Sequence, residues 1–525
     1  MTPIRPRLGL RQGEALALHR RLPADPDPLA LYAALSDGGA RTDTFLLERT
    51  VGPSLLMDEA AVRVECRGGT VTLAALTANG AQVLAAVAAR LAARLQERVA
   101  ASDPATLVLH FPHVEGDDAE ARLLAPSPFD VLRVLTTLAS ASPEEAFTIA
   151  ALGVVAFDHV DLFETLAANP QDPLAFPDFL FWLASSLVVL EAGAKPRLVC
   201  TAFGSDDPVA AERAYYGAAE RLTRLVARCT EIAPLPTPAR PSPTAPEPQV
   251  DLDDAAFASV VADLRERIAA GDIYQIVPSR TFRVPCPRPL AAYAAQRALD
   301  PSPYRIFVAG PDHILFGASP ETSVRVFADQ GTRIVEVKPI AGTCARGATQ
   351  DEDDRLEAEM RLDPKEAAEH MMLVDLARND VARVSRTGTR RVAALMRVER
   401  YARLMHLVSS VQGTLRTGLD ALHALAACLN VGTLTGAPKI RAIQLLRATE
   451  ATKRGPYGGA IGWLNGEGMM DTGVVIRSAV VRDGIAYVRA GAGVVYDSDP
   501  RREAAETRRK ASALLSVLAA VGEEA

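Results

Sequence analysis

Gly473–Tyr496 reads GVVIRSAVVRDGIAYVRAGAGVVY, a run dominated by valine, isoleucine and tyrosine that predicts β-structure. Directly after it, RREAAETRRKASALLSVL (501–518) switches to a helical period. Upstream, TRIVEVKPIAG (332–342) is a second β run, and AAVRVECRGGTVTLAAL (60–76) alternates around a Gly-Gly turn like a hairpin. GAQVLAAVAARLAARLQERVA (80–100) predicts a strongly periodic helix. Strand runs joined by hairpins and followed by helices predict an α+β fold with antiparallel sheets.

PLPTPARPSPTAPEPQ (234–249) is too proline-dense to pack and predicts an extended connector at 234–250. It separates an Ala/Leu-rich part (1–233) from a part with most of the unusual polar clusters (251–520). With 525 residues, 49% of them hydrophobic, the chain can build two domains or one intertwined body. No internal repeat is visible. The net charge of −7, with no polybasic run, argues against nucleic acid. Cysteines 66, 200, 229, 286, 344 and 428 show no CxxC or Cys/His spacing, which suits a reducing compartment. MTPIRPRLGLRQGEALALHRR lacks an apolar signal core, and FLFWLASSLVVL (179–190) is too short to span a bilayer. A soluble cytoplasmic protein is expected.

LDPKEAAEHMMLVDLARNDVARV (362–384) predicts a helix with Asp363 as N-cap and Pro364 at the first position. Glu366 and Glu369, three residues apart, share a face with Leu373 and Ala377. In the last helix Glu503, Glu506 and Lys510 fall on one face. Two glutamate pairs turned inward can meet around a hard divalent cation such as Mg²⁺, which takes oxygen ligands. Solvated surface glutamates have the same spacing.

Other signals are weak singly. Gly491-Ala492-Gly493 follows a strand, where bare backbone N–H groups can approach a carboxylate. It lacks the third glycine and the helix of a dinucleotide fingerprint, and NVGTLTGAPKIRA (430–442) lacks the ending of a phosphate loop. Arg477 in VIRSAVV is expected inside an apolar strand, where its charge needs a carboxylate partner. His406 in YARLMHLVSS is a core histidine or a catalyst.

Together these segments say more. GDIYQIVPSRTF, DPSPYRIFV, LFGASPETS, KPIAGTCARG, EHMMLVDLARND, YARLMHLVSSVQG, NVGTLTGAPKIRA, RGPYGGAIGWL, DTGVVIRSAVV and AGAGVVYDSDPRREAAETRRKA occur in the order typical of chorismate-utilising enzymes. The chain resembles the component I family of anthranilate synthases, densely over about 250–520 and more weakly, through DTFLLERTV (43–51), in the N-terminal part.

The resemblance implies the fold of that family, antiparallel sheets sandwiched by helices, with 1–233 as a regulatory and partner-contacting part and 251–520 as the catalytic part, which binds chorismate through Mg²⁺. Glu369 and Glu506 match metal ligands, with Glu366 and Glu503 as further or water-mediated ones. Glu321 matches the general acid that protonates the departing C4 hydroxyl, so a raised pKa is expected there. Ammonia attacks C2 to give aminodeoxyisochorismate, and His406 matches the residue associated with pyruvate elimination. Tyr457, Arg477 and the Gly491–Gly493 backbone hold the enolpyruvyl carboxylate, with Lys510 in the same set. Thr343 and Thr433 line the ring pocket beside Ala341 and Gly342. Gln275 stands where water-using relatives carry a lysine base, and Ala341 where aminodeoxychorismate synthases carry a lysine nucleophile. Both favour anthranilate chemistry.

No Gly-x-Cys-x-Gly glutaminase motif is present, so a glutamine amidotransferase subunit, component II, is implied as ammonia source, in a heterotetramer of two subunits of each kind. The alternatives are an aminodeoxyisochorismate synthase of a secondary-metabolite pathway, and a non-catalytic binding protein. The family's tryptophan site maps to Glu48, Arg49, Pro303, Tyr304 and Arg305. Arg49 replaces a serine and Arg305 a methionine. Either two cations crowd the pocket and weaken tryptophan inhibition, or Arg49 swings to solvent and Arg305 stacks on the indole.

Overall fold

In the computed structural model, residues 10–523 are described except 24, 96–98, 104, 114–117, 140–143, 170, 231, 234, 236–246 and 402–403. Most of the proline-rich connector therefore lies outside the described residues. The side chains of 92–95, 99–103, 343, 365 and 523 do so too.

The predicted hairpin forms from Ser54–Arg67 and Thr70–Ala75, turning at Gly68 and Gly69, which both have positive φ. The first of these strands, long and apolar, also pairs with Phe179–Leu190. This long pair is the root of two sheet branches. One runs through Thr44–Arg49, Tyr304–Ala309, Ile314–Ser319, Ser478–Arg482, Ile485–Gly491 and Ser279–Pro285. The other runs through Ala150–Val155, Ala460–Asn465, Met470–Val474, Thr322–Asp329, Thr332–Val337 and Leu404–Thr414. Every strand pairing along these branches is antiparallel, as the hairpin-rich sequence predicts. Each branch leaves the root pair through one N-terminal strand, Thr44–Arg49 or Ala150–Val155, and continues with strands from beyond the connector.

A hydrophobic core that includes Phe45, Trp182, Tyr304 and Ile461 joins the branches. Helices cover the outer faces. Pro500–Glu523 and Pro289–Leu299 pack on the first branch, Pro364–Val384 and Ala421–Cys428 on the second. The helix predicted over 80–100 spans Ala78–Leu95, and Val99–Asp103 is a strand paired with Thr106–His110. Valine there gains a ladder that local periodicity does not reveal.

The chain passes between the two branches at Pro320–Glu321 and again at Val475–Arg477. Arg477 therefore does not sit inside an apolar strand. It has φ +50° and precedes the strand Ser478–Arg482, with its side chain about one-third exposed and 3.5 Å from Asp300.

Candidate active site

Glu321 projects from the first crossing. Thr433, on the short 3-10 turn Gly432–Leu434, donates to Glu321 Oε1 at 2.8 Å, and Val474 N–H donates to the Glu321 carbonyl at 3.0 Å. The residue is 3% exposed. Burial pushes its carboxyl up to about 8, against the opposing Thr433 bond and Arg477 charge. The acid is therefore protonated at neutral pH. A small cavity beside it is lined by Thr322, Lys338, Leu373, Asp380 and Thr433.

His406 lies on Leu404–Thr414, paired with Ile340–Ala345. The register slips between Ala341 and Thr343, so Gly342 bulges with φ +67°. His406 Nδ1–H donates to the Gly342 carbonyl at 3.1 Å, which leaves Nε2 as the basic nitrogen of the neutral ring. Burial and then Arg477 lower the His406 pKa, so the ring is neutral at pH 7. Glu366 reaches the same bulge, its Oε2 lying 3.2 Å from where a Cβ on Gly342 would sit. The helix carrying Glu366 and Glu369 starts as the sequence predicts, with Glu366 N–H donating to Asp363 Oδ1. The Thr343 side chain is outside the described residues.

A second group of residues gathers where the strand Ile485–Gly491 ends, near the helix Pro500–Glu523 and the short strand Gln275–Ile276. The Gly491 N–H bonds the buried Tyr457 hydroxyl, and Lys510 Nζ donates to the Gly491 carbonyl at 3.0 Å. Lys510 also pairs with Glu506 at 3.0 Å. Burial of Glu506 opposes ionisation, but Lys510 and Arg509 outweigh it and hold its pKa below the ordinary range. Gln275 Nε2 lies 3.2 Å from where a Cβ on Gly493 would sit, and its Oε1 is buried without a hydrogen-bond partner in the chain. Ala492 is buried beneath this loop, and an apolar floor of Val277, Val431, Tyr457, Val474 and Ile476 joins it to the Glu321 side.

Among the described residues, no three His, Cys, Asp or Glu side chains converge as a metal cage. Glu366 stands at the Gly342 bulge, and Glu506 on the other helix is paired with Lys510. Glu369 and Glu503 are half-buried on those two helices. All four donors are hard carboxylate oxygens. That chemistry fits a divalent cation that keeps waters and takes further oxygens from an anionic substrate.

The residues singled out near the N-terminus form a separate corner. Glu48 is buried and takes hydrogen bonds from Arg297 and from the Tyr293 hydroxyl at 2.6 Å, with Arg305 at 3.4 Å. Pro303 accepts from Thr50 N–H at 3.3 Å. Arg49 does not swing to solvent. Its guanidinium lies 3.6 Å from the Tyr304 ring centroid and 2.6 Å from Asp471, with the side chain 6% exposed. Nor is it unpaired: Asp471 on Met470–Val474, which sequence reading missed, supplies the counter-charge.

Three further groups were missed. Asp300 partners Arg477. Glu450 is buried between Arg454 and Arg489 and accepts from Ser279. Asp158, in AFDHVDLF, holds the loop before Tyr457 through Gly455. An acidic residue inside an apolar run was the available signal for Asp158.

Residues 92–516 match the model of the chorismate binding enzymes. The chain is 45% identical over 515 residues to anthranilate synthase component 1 of Vibrio cholerae, covering 95% of this chain and 96% of that one. It is 44% identical over 513 residues to the pyocyanine-specific anthranilate synthase component 1 of Pseudomonas aeruginosa, covering 95% and 93%. The crystal structure of anthranilate synthase component I from Streptococcus pneumoniae superposes with a TM-score of 0.70 at 29% identity, covering 89% of this chain and 93% of that one. A buried neutral acid and a bulge-mounted histidine, both under the charge of Arg477, on a fold shared with that structure, agree with these likenesses: the chain belongs to the anthranilate synthase component I family of chorismate-binding enzymes.

Proposed function

We propose that this chain is the synthase subunit of an anthranilate synthase, a lyase that converts chorismate and ammonia to anthranilate and pyruvate. The observation that carries the mechanism is the Glu321 carboxyl, kept protonated by burial and oriented by Thr433. In this reading Glu321 gives its proton to the C4 hydroxyl, which leaves as water while ammonia adds at C2. The proton shed by the new C2 ammonium restores the acid, so the step balances without an outside donor. His406, neutral and with Nε2 basic, then takes the C2 proton as the enolpyruvyl C–O bond breaks and the ring becomes aromatic. Pyruvate departs after its enol takes up a proton. Tyr457, the Gly491–Gly493 backbone and Arg477 orient the enolpyruvyl carboxylate. Gln275 and Ala341 offer neither a general base for water nor an amine nucleophile, so ammonia is left as the nucleophile.

Glu366, Glu369, Glu503 and Glu506 would hold Mg²⁺. When bound, the cation supplies charge that anchors the ring carboxylate and offsets charge developing as the hydroxyl leaves. Ammonia would come from a glutamine amidotransferase subunit, in an assembly of two subunits of each kind. The six cysteines are free thiols, which supports a cytoplasmic setting. The inward Arg49, over Tyr304 and paired with Asp471, supports weak feedback by tryptophan, because a guanidinium covers the ring of a residue that the family resemblance assigns to the tryptophan site.

Incubation with chorismate, Mg²⁺ and ammonium tests the reaction: anthranilate fluorescence is expected to rise together with pyruvate. Accumulation of the non-fluorescent amino-diene without pyruvate would assign the chain instead to aminodeoxyisochorismate synthesis.

A further inference from the structure

We infer that the 3-10 segment Phe157–Leu162, contributed by the N-terminal part, sets the shape of the chorismate pocket, with Asp158 as a positioning residue. The inference rests on the placement of Thr433 and Tyr457 in that pocket.

The segment touches the loops that carry both residues. Asp158 Oδ2 accepts from Gly455 N–H at 2.7 Å, and Phe157 N–H donates to the Gly455 carbonyl at 2.8 Å. Gly455, at φ +59°, is thus held on both sides two residues before Tyr457. The Phe157 carbonyl accepts from Asn430 Nδ2 at 2.8 Å, three residues before Thr433. Between the two loops, the Arg454 guanidinium lies 4.4 Å from the Phe157 ring centroid and donates to the carbonyls of Leu434 and Val277. Asp158 is 4% exposed and is itself fixed by Arg447 at 3.1 Å, on the helix Lys439–Thr449.

Asp158 is not within reach of substrate through any of these bonds; it acts through Gly455. A buried pair of this kind is a poor source of net stability, because desolvation offsets its attraction. What it fixes is direction: Gly455 has one backbone donor and one acceptor, and both are satisfied by the same short segment two residues before Tyr457. This segment of the N-terminal part therefore braces the Gly455 and Asn430 loops from behind.

Steady-state kinetics with ammonia test this. Asp158→Ala removes the acceptor and is expected to raise the KM for chorismate about tenfold, with kcat changed less than about twofold. Asp158→Asn keeps an acceptor oxygen for Gly455 and should recover most of that loss. Combined with Tyr457→Phe, Asp158→Ala should add little, because both act on one contact. The KM for ammonia should not move in any of them. An unchanged chorismate KM in Asp158→Ala, or an effect that multiplies fully with that of Tyr457→Phe, would overturn the inference. Should Asp158→Ala fail to fold, Asn430→Ala, which removes the bond to the Phe157 carbonyl, carries the same expectation and the same refutation. If Tyr457→Phe and Thr433→Val both leave the chorismate KM unchanged, the pocket itself is misplaced, an outcome distinct from failure of Asp158 alone.

Discussion

Glu321 and Glu450 are buried almost equally, 3% and 5% exposed, yet they titrate in opposite directions. Both lose hydration. Glu450 gains Arg454 and Arg489 at 2.7 and 2.9 Å and two bonds from Ser279, and these outweigh desolvation and depress its pKa. Glu321 gains a threonine hydroxyl and a more distant arginine, and burial wins. Partners, not depth, decide which buried carboxyl is an acid and which is a strut. At the N-terminal corner Asp471 is another buried carboxylate held as a strut, 2.6 Å from Arg49.

The largest expected effect comes from removing the acid. Glu321→Gln should lower kcat by about 10²–10⁴-fold, measured by anthranilate fluorescence, with circular dichroism unchanged. It should also stabilise the protein near pH 8. A group whose folded pKa is raised contributes its full stability below the ordinary glutamate range, and loses it as pH rises toward about 8. Equal stability of the two proteins across that window would break the contrast with Glu450.

Next come the glutamates on the two helices. Glu369→Gln or Glu506→Gln should reduce turnover about 10²-fold at limiting Mg²⁺ and raise the half-saturating Mg²⁺ concentration by calorimetry, while the fold survives. Near-normal activity of both variants at limiting Mg²⁺ would remove the metal role.

Glu450→Gln should instead act on folding. It leaves two arginines facing each other in the interior, at a cost of about 3–5 kcal/mol in chemical denaturation. The wild-type contribution is present above the ordinary glutamate range and is lost as pH falls through the depressed folded value. A variant as stable as wild type would show that Ser279 and solvent already satisfy the pair.

The smallest effect is regulatory. Wild-type activity should resist low micromolar tryptophan, and Arg49→Ser should increase sensitivity by about tenfold, with Arg325 at 3.4 Å still partnering Asp471. Half-inhibition of wild type at low micromolar tryptophan would show that the guanidinium moves aside.

Local elements were legible in the sequence. Asp363, Pro364 and Glu366 mark the start of a helix that runs Pro364–Val384, and Gly68-Gly69 turns the hairpin as read. What was not legible involves pairing across distance. The residues about Arg477 look like one strand because the crossing between branches is itself apolar; only the left-handed backbone at Arg477 breaks it. Val99 ends a helical pattern because the strand at Thr106–His110 claims it. Arg49 reads as an unpaired cation until Met470–Val474 brings Asp471 beside it. The catalytic assignments came through resemblance, since no local spacing distinguishes Glu321 from Glu450.

The most direct test is infrared titration of the protonated-carboxyl stretch, compared between wild type and Glu321→Gln from about pH 5 to about pH 10. A band present at pH 7, absent from the variant and lost near pH 8 is the expected result. A wild type with no such band at pH 7 would mean that Glu321 is ionised, and that burial does not make it the acid.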